Sequence, residues 1–504
     1  MTTFFNRLTL TIIALNVLSL PAFAGPLDDH YLSAFGEQSA AVRGSALQKA
    51  ILLPTNDSGT QPQCGTPAKH GLRRDWNRLE PTTQVVLAKQ LAPPVLANEG
   101  IYDSAGGHFR IHYAKSGSDA PPLTDANTNG IPDWVETVAQ TFEDVANSYT
   151  VLGWKLAPTV NGARYDVYLR DLATQRSYGL TTSTAAVPSS GFANAYSSYT
   201  EIDNDFLDSI FQNALTGSLT PAQKALQSLQ ITASHEYHHS IQYGYNLYFD
   251  IWYAEATSTW YEDELYDSVN QLYKYIPAWF NYSTLALDTP ESTTTGGGYG
   301  RWIFNRYLYE RYGTAGVKGV WEKLATLYSP GGGADIPMVP VMENMLLAPP
   351  YNSSLAADFL AFTRRVYVRD WTSHVAEVPL IHKYSPNISY SSYPANSTAT
   401  LPHYSFGFYK FTPAPTASAN LNIAIAKTSG IRTALFKSIS GTKTEIAANS
   451  DGSYTVAGFT SLAANDEVVL LAVNVTNVDE HQIAFSTDGT TVSCLLYTSD
   501  AADE

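Results

Sequence analysis

Five consecutive residues, His235-Glu236-Tyr237-His238-His239, constrain this chain more than any other feature. Side chains at positions i and i+4 stand one above the other on a helix. If His235 and His239 act together, the segment around them is helical. The flanking sequence agrees. Thr220 is a good N-cap, Pro221 suits the first helical position, and Gln223 completes a capping box. Two imidazoles at this spacing suit a zinc ion, which takes imidazole nitrogen at roughly 2.0–2.1 Å and prefers tetrahedral surroundings. Glu236, one residue along, reaches a water at the ion rather than the ion itself, which is the place of a general base. His238 falls on another face of the helix and reads as a packing residue.

Such an ion needs a third protein ligand, with water in the fourth position. Gly244 is expected to end the first helix and Asp250 to cap a second, which contains Trp252-Tyr253-Ala254-Glu255. Two helices joined by a short turn fold back on each other, which returns Glu255 towards the histidines. Here the chain resembles the gluzincin metallopeptidases, in which a Trp-x-x-Glu segment follows the His-Glu-x-x-His motif and its Glu binds zinc. The resemblance implies Glu255 as the third ligand. The gap from His239 to Glu255 is shorter than in the best-known gluzincins, so Glu262 and Glu264 stay open as alternatives. Gluzincins often supply a Tyr to the oxyanion, which implies Tyr299, ahead of the helix Arg301 to Tyr312. A wider resemblance covers about 105 to 493. HFRIHY, DANTNGIPDWVE, YDVYL, ASHEYHHSIQYGY, WYAEATSTW and YGRWIFNRYLYERYG are similar to segments of a family of secreted bacterial metalloproteases well represented in myxobacteria. The family implies a zinc metallopeptidase fold followed by a β-rich region, and no particular substrate.

The expected class is α+β: a zincin-like domain of sheet, active-site helix and helical subdomain, followed by a truncated β-sandwich-like domain. Residues 1–24 read as a signal peptide, with Arg7, the apolar run Leu8 to Leu20 and a small-residue site at Ala22-Phe23-Ala24. The chain is therefore expected to be secreted. No later stretch approaches the about 20 apolar residues that span a bilayer. Residues 25–104 form a propeptide or N-terminal lead. Residues 105–385 form the main domain. Alternating strands near 108–113, 164–169 and 199–203 are followed by helices near 132–152, 220–244, 252–266, 299–312, 315–327 and 355–371. Residues 386–493 are short strands divided by Ser/Thr/Gly/Asn turns, as in a β-sandwich. The last run, Cys494 to Glu504, resembles the translation of a transposase adapter used in sequencing-library preparation and is set apart from the fold. A formal net charge of -16 argues against nucleic acid as a partner, because phosphate binding needs a basic surface.

Asp125-Ala126-Asn127-Thr128-Asn129-Gly130 leads on to Asp133 and Glu136 with the spacing of an EF-hand loop. Ligand oxygens would come from Asp125, Asn127, Asn129, the Ile131 carbonyl, Asp133 and Glu136. A structural calcium ion is expected there, since the first helix of an EF-hand is missing. His108 and His112 share one strand face and read as structural.

With Cys494 set apart, Cys64 is a lone cysteine in a secreted chain. Pro62-Gln63-Cys64-Gly65-Thr66-Pro67 resembles the cysteine-switch segment of matrix metalloprotease propeptides, where a thiolate fills the open zinc position. A disulfide to another cysteine and a buried free thiol stay open beside it. The expected activity is a metalloendopeptidase acting on extracellular protein or peptide. An aminopeptidase, or a non-catalytic surface binding protein on the same scaffold, are the alternatives.

Overall fold

The computed structural model describes residues 25–35, 63–215, 217–289, 297–414, 417–490 and 492–494. The signal segment, residues 36–62 of the lead and residues 495–504 of the last run lie outside the described residues. The chain is a mixed α+β protein.

A six-stranded sheet carries the first half. Its strands are β1 (Gln63–Cys64), β2 (Gly100–Asp103), β3 (Phe109–Tyr113), β4 (Tyr165–Arg170), β5 (Ser177–Ala186) and β6 (Tyr196–Asp203), in the order β1-β5-β6-β4-β3-β2. Neighbours β3, β4 and β6 run parallel, and β5 is antiparallel to β6. The three alternating runs are β3, β4 and β6. The sequence expectations do not include β5. Its first six residues, Ser177 to Thr182, are buried on both faces, so they show no apolar–polar alternation to read. Two strands also reach back into the lead. β2 pairs with β3, and β1 lies parallel on the outer side of β5.

The lead adds α1 (Pro26–Phe35), α2 (Thr66–Asp75) and α3 (Pro81–Leu87), which close over a small core of Tyr31, Leu72, Leu79, Leu87 and Leu91. Helix α4 (Asp133–Val151) packs on the sheet at β3. After a short α5 (Ser209–Gln212), α6 spans Pro221–Tyr245 behind the expected capping box of Thr220 and Gln223. Every residue of α6 from Ile231 to Tyr245 is buried, because β5 and β6, α4 and the later helices pack around it. Gly244 does not end this helix. It admits Pro158, whose Cδ would stand 2.5 Å from an added Cβ. Helix α7 (Ile251–Leu265) returns along α6. Asp250 holds its N-cap position, but its side chain makes no capping bond.

The remaining helices are α8 (Ile276–Phe280), α9 (Gly297–Gly300), α10 (Trp302–Tyr312), α11 (Thr314–Ala325), α12 (Met338–Leu347) and α13 (Leu355–Val368). Nine strands follow: β7 (Ile388–Tyr390), β8 (Asn396–Leu401), β9 (Ser405–Phe411), β10 (Leu421–Lys427), β11 (Ile431–Ile439), β12 (Thr442–Ile446), β13 (Tyr454–Val456), β14 (Glu467–Asn474) and β15 (His481–Ser486). They form a four-stranded sheet, β13-β10-β15-β8, and a five-stranded sheet, β12-β11-β14-β9-β7. One face of β14 (Val468, Leu470, Ala472) joins Ile423, Ile483 and Phe485 in a core of its own. The other face (Val469, Leu471, Val473) continues the core of the helical region. Burial on both faces explains the unbroken apolar run at 468–473. Among the described residues, no helix is long and apolar enough to cross a membrane.

Candidate metal centre

Helices α6 and α7 bring three of the expected ligands together. His235 Nε2 and His239 Nε2 lie 3.1 Å apart. Glu255 Oε2 is 3.3 Å from the first and Oε1 is 3.4 Å from the second. Bonds of 2.0–2.1 Å at tetrahedral angles put neighbouring donor atoms about 3.3–3.4 Å apart, so these separations suit one ion. The fit also shows in what the groups lack. His235 Nδ1 meets Glu262 Oε1 at 2.8 Å, and His239 Nδ1 meets Gln242 Oε1 at 2.8 Å. If both Nδ1 atoms carry the hydrogen, both Nε2 lone pairs face each other and the Glu255 carboxylate. Glu255 is 0 % exposed, and neither of its oxygens has a hydrogen-bond donor. An uncompensated buried carboxylate costs several kcal/mol. A cation among the three groups removes that cost.

Burial alone would depress the His235 imidazolium, but the carboxylates of Glu255 and Glu262 outweigh burial and lift its pKa to about 10. Burial would raise Glu255, but His239 and His235 hold it down at about 2.

The α7 carboxylates are sorted by this geometry. Glu255 faces both imidazoles. Glu262 stands behind His235, where it fixes the ring and its tautomer. Glu264 points away, to His374. Gln242 does for His239 what Glu262 does for His235, and is itself held by the Ala254 carbonyl and Ser258. Neither supporting role is visible in the motif. The only available signal is that Gln242 lies three residues after His239 and so shares its face.

Glu236 lies beside the ligands and is 1 % exposed. Its Oε2 accepts from Thr181 Oγ1 at 2.9 Å and from Thr66 Oγ1 at 3.0 Å. Gly179 lets β5 come this close: a Cβ there would stand 2.8 Å from Glu236 Cγ and 3.0 Å from the Glu201 carbonyl oxygen. Tyr299, in α9, lines the same cavity, and its ring centroid is 6.2 Å from that of His235.

Cys64 joins the group. Its thiol and the ligand atoms of His235, His239 and Glu255 all lie within 4.8 Å of one another. β1 pairs Cys64 with Gly179, and the Gly65 N–H donates to the Gly179 carbonyl at 2.8 Å. The Cys64 N–H donates to Tyr299 Oη at 3.1 Å, and the Thr66 N–H donates to Cys64 Sγ at 3.3 Å. Burial, then the negative charges of Glu236 and Glu255, push the thiol pKa well up. Cys64 and Cys494 are both free thiols. Behind them Arg73 donates twice to the Ser183 carbonyl, and His70 and Arg74 meet Asp335. The cavity left between the lead and the centre is about 30 Å³, room for a water or two and not for a peptide.

The other candidates lie elsewhere. His238 is buried against Tyr149, Trp154 and Tyr261, and neither ring nitrogen has a partner. His112 sits between Glu99 and Asp166, and His108 meets Glu143. The loop 125–136 closes on itself at the surface. Asp125 accepts from the Asn129 and Gly130 N–H groups, and Asp133 accepts from that of Ala126. The Ile131 N–H donates to Asn129 Oδ1, and Glu136 accepts from the amides of Asn127 and Asn129. Gly130 sits at a φ of 89°, the conformation that the sharp turn needs. For the Asn127 and Asn129 oxygens to bind an ion together with Glu136, both amides must turn.

Comparison with protein-family models, with curated proteins and with solved structures gave no match for this chain.

Proposed function

We propose that this chain is the precursor of a secreted, gluzincin-like zinc metallopeptidase, with its lead segment seated in the active site. The observation that carries the reading is the buried Glu255 carboxylate. It has no hydrogen-bond donor and faces two imidazoles whose outer nitrogens are already engaged. His235, His239 and Glu255 would hold the zinc. When bound, zinc lowers the pKa of a water and polarises the scissile carbonyl.

The rest is the work of this chain's own side chains. Glu236 takes the proton from the attacking water and returns it to the leaving amine. Thr181 orients it. Tyr299 Oη, which now accepts from the Cys64 N–H, turns its proton to the oxyanion as charge develops there. The edge of β5, now paired with β1, offers backbone groups to an extended peptide. The lead therefore takes what a substrate needs. Its thiol fills the fourth donor place, Thr66 holds the base, and β1 covers the edge. Thiolate sulfur is a favoured zinc ligand, so the precursor is latent. The complete set of base and ligands favours an enzyme over a binding protein on the same scaffold.

Metal analysis and proteolysis together test this. The wild-type and Cys64→Ser chains should both hold zinc at this centre, and His239→Ala should lose it. Casein should be cleaved by the Cys64→Ser chain, or by wild-type chain trimmed of its lead, and o-phenanthroline should stop it. A trimmed chain that holds zinc and cleaves nothing would refute the enzymatic reading. Full latency in Cys64→Ser beside activity in trimmed chain would remove the thiol as the latch.

A further inference from the structure

A second group of ligand-type side chains lies at the far end of α7, and the proposed hydrolysis does not use it. Asp263, Asp267 and His374 offer one donor atom each, all within 4.8 Å of one another. His374 Nδ1 is 3.4 Å from Asp263 Oδ2, the spacing of two donors on one ion; it also hydrogen-bonds the exposed Asp267 Oδ1 at 2.5 Å, a contact that an ion would replace as the Asp267 side chain moves outward. Asp263 is 0 % exposed, and neither carboxylate oxygen has a hydrogen-bond donor. Glu255 in the first centre is in the same condition. On the outer side of the ring, His374 Nε2 meets Glu264 Oε1 at 2.9 Å. The first centre repeats here too, since a glutamate backs His235 in the same way.

Charge points in the same direction. Asp263, Glu264 and Asp267 surround one imidazole. The nearby Arg306 donates to Tyr273, Glu310 and the carbonyls of Ser373 and His374, and not to Asp263. The Asp263 carboxylate thus aims into a pocket whose other members are a carboxylate and a ring nitrogen.

We propose that Asp263, Asp267 and His374 hold a second divalent cation, with Glu264 orienting the histidine. Mixed imidazole and carboxylate donors suit a first-row transition ion such as zinc, whereas calcium and magnesium prefer oxygen ligands alone. The Asp267 side chain is 66 % exposed, so the ion enters from that side and water completes its shell. Its role is structural. It ties the end of α7, which carries Glu255 and Glu262, to the segment that follows α13.

The test uses full-length chain stripped by chelator and re-equilibrated with zinc, with millimolar calcium present to occupy the 125–136 loop. Asp267→Asn is the main variant, because so exposed a side chain can be changed without unfolding the chain. Zinc content should fall by one equivalent in Asp267→Asn and by a different equivalent in His239→Ala, and the double variant should hold none. Zinc should raise the melting temperature of His239→Ala and leave that of the double variant unmoved. Equal zinc in wild type and Asp267→Asn, with equal melting temperatures, would overturn the second site and leave the first centre standing. Loss of zinc in Asp267→Asn alone, with none lost in His239→Ala, would reject the first centre and keep the second.

Discussion

Replacing Glu236 by Gln tests the proposed base apart from the proposed ligands. Glu262, Gln242 and Ser258 support the two histidines, and the Glu236 carboxylate is held by other residues. Its Oε2 accepts from Thr181 and Thr66, and a Gln carbonyl accepts the same two bonds. Each bond changes from a charged to a neutral acceptor, a loss of about 1 kcal/mol apiece. That moves the melting temperature by only a few degrees in a chain this large. The proton transfer fares differently, because an amide cannot take a proton from water at neutral pH. General-base catalysis contributes roughly 10²–10⁴-fold, or about 3–5 kcal/mol of transition-state free energy. The assay is cleavage of a fluorogenic peptide in the Cys64→Ser background, with zinc measured on the same samples. Glu236→Gln should keep its zinc and lose roughly 10²–10⁴-fold in kcat. A rate within about threefold of the parent, with zinc retained, would refute Glu236 as the base. Loss of zinc would show that Glu236 belongs to the ligand set.

The neighbouring carboxylates should separate by role in equilibrium zinc titrations. Glu255→Ala should abolish zinc at the first centre, Glu262→Gln should weaken it by about 10–100-fold, and Glu264→Ala should leave it unchanged. Equal zinc affinity in all three would remove Glu255 as a ligand. Gly179→Ala should destabilise the chain by about 1–3 kcal/mol through overpacking and lower kcat by displacing Glu236, read by thermal melting and peptide cleavage; an unchanged kcat would mean that β5 does not position the base. Calcium should raise the melting temperature of calcium-stripped protein through Asp125 and Glu136, by up to about 2.7 kcal/mol of stabilisation at a hundredfold excess over Kd. Glu136→Gln should abolish the rise, and a wild-type melting temperature indifferent to millimolar calcium would exclude the ion from that loop.

What the sequence makes legible is what repeats locally. The i, i+4 histidines, the Thr220 capping box and the alternation in β3, β4 and β6 are each decided within a few residues, and the structure has them where their periods put them. β5 was hidden because burial on both faces erases the alternation that marks a half-buried strand. Gly244 misled because glycine at a helix end and glycine at a tight helix contact look the same in one dimension. Only the position of Pro158 separates them. Among Glu255, Glu262 and Glu264, the resemblance implied Glu255, but spacing alone did not separate the three. The choice depends on the angle at which α7 returns along α6, and the residues that set that angle are spread over several elements.

Cys64 shows where local reading ends most sharply. Nothing within the lead brings a thiol to residues 235–255. The approach is made by the pairing of β1 with β5, across more than a hundred residues, and β5 is the strand that alternation does not reveal. Once that pairing exists, three contacts of different kinds follow from one short segment: a thiol at the ligands, a hydroxyl on Glu236 and an amide on Tyr299. Each engages a group to which the proposed hydrolysis gives a separate part. The lead also has a small hydrophobic core of its own and a second anchor at Asp335. Losing the thiol alone would therefore free the proposed fourth donor place while much of the remaining contact persists. Cys64→Ser should accordingly be less active than chain trimmed of its lead, with the excess appearing in KM rather than kcat, because the seated lead competes with substrate for the β5 edge. Equal KM in the two would mean that the thiol is the whole latch and that β1 leaves with it.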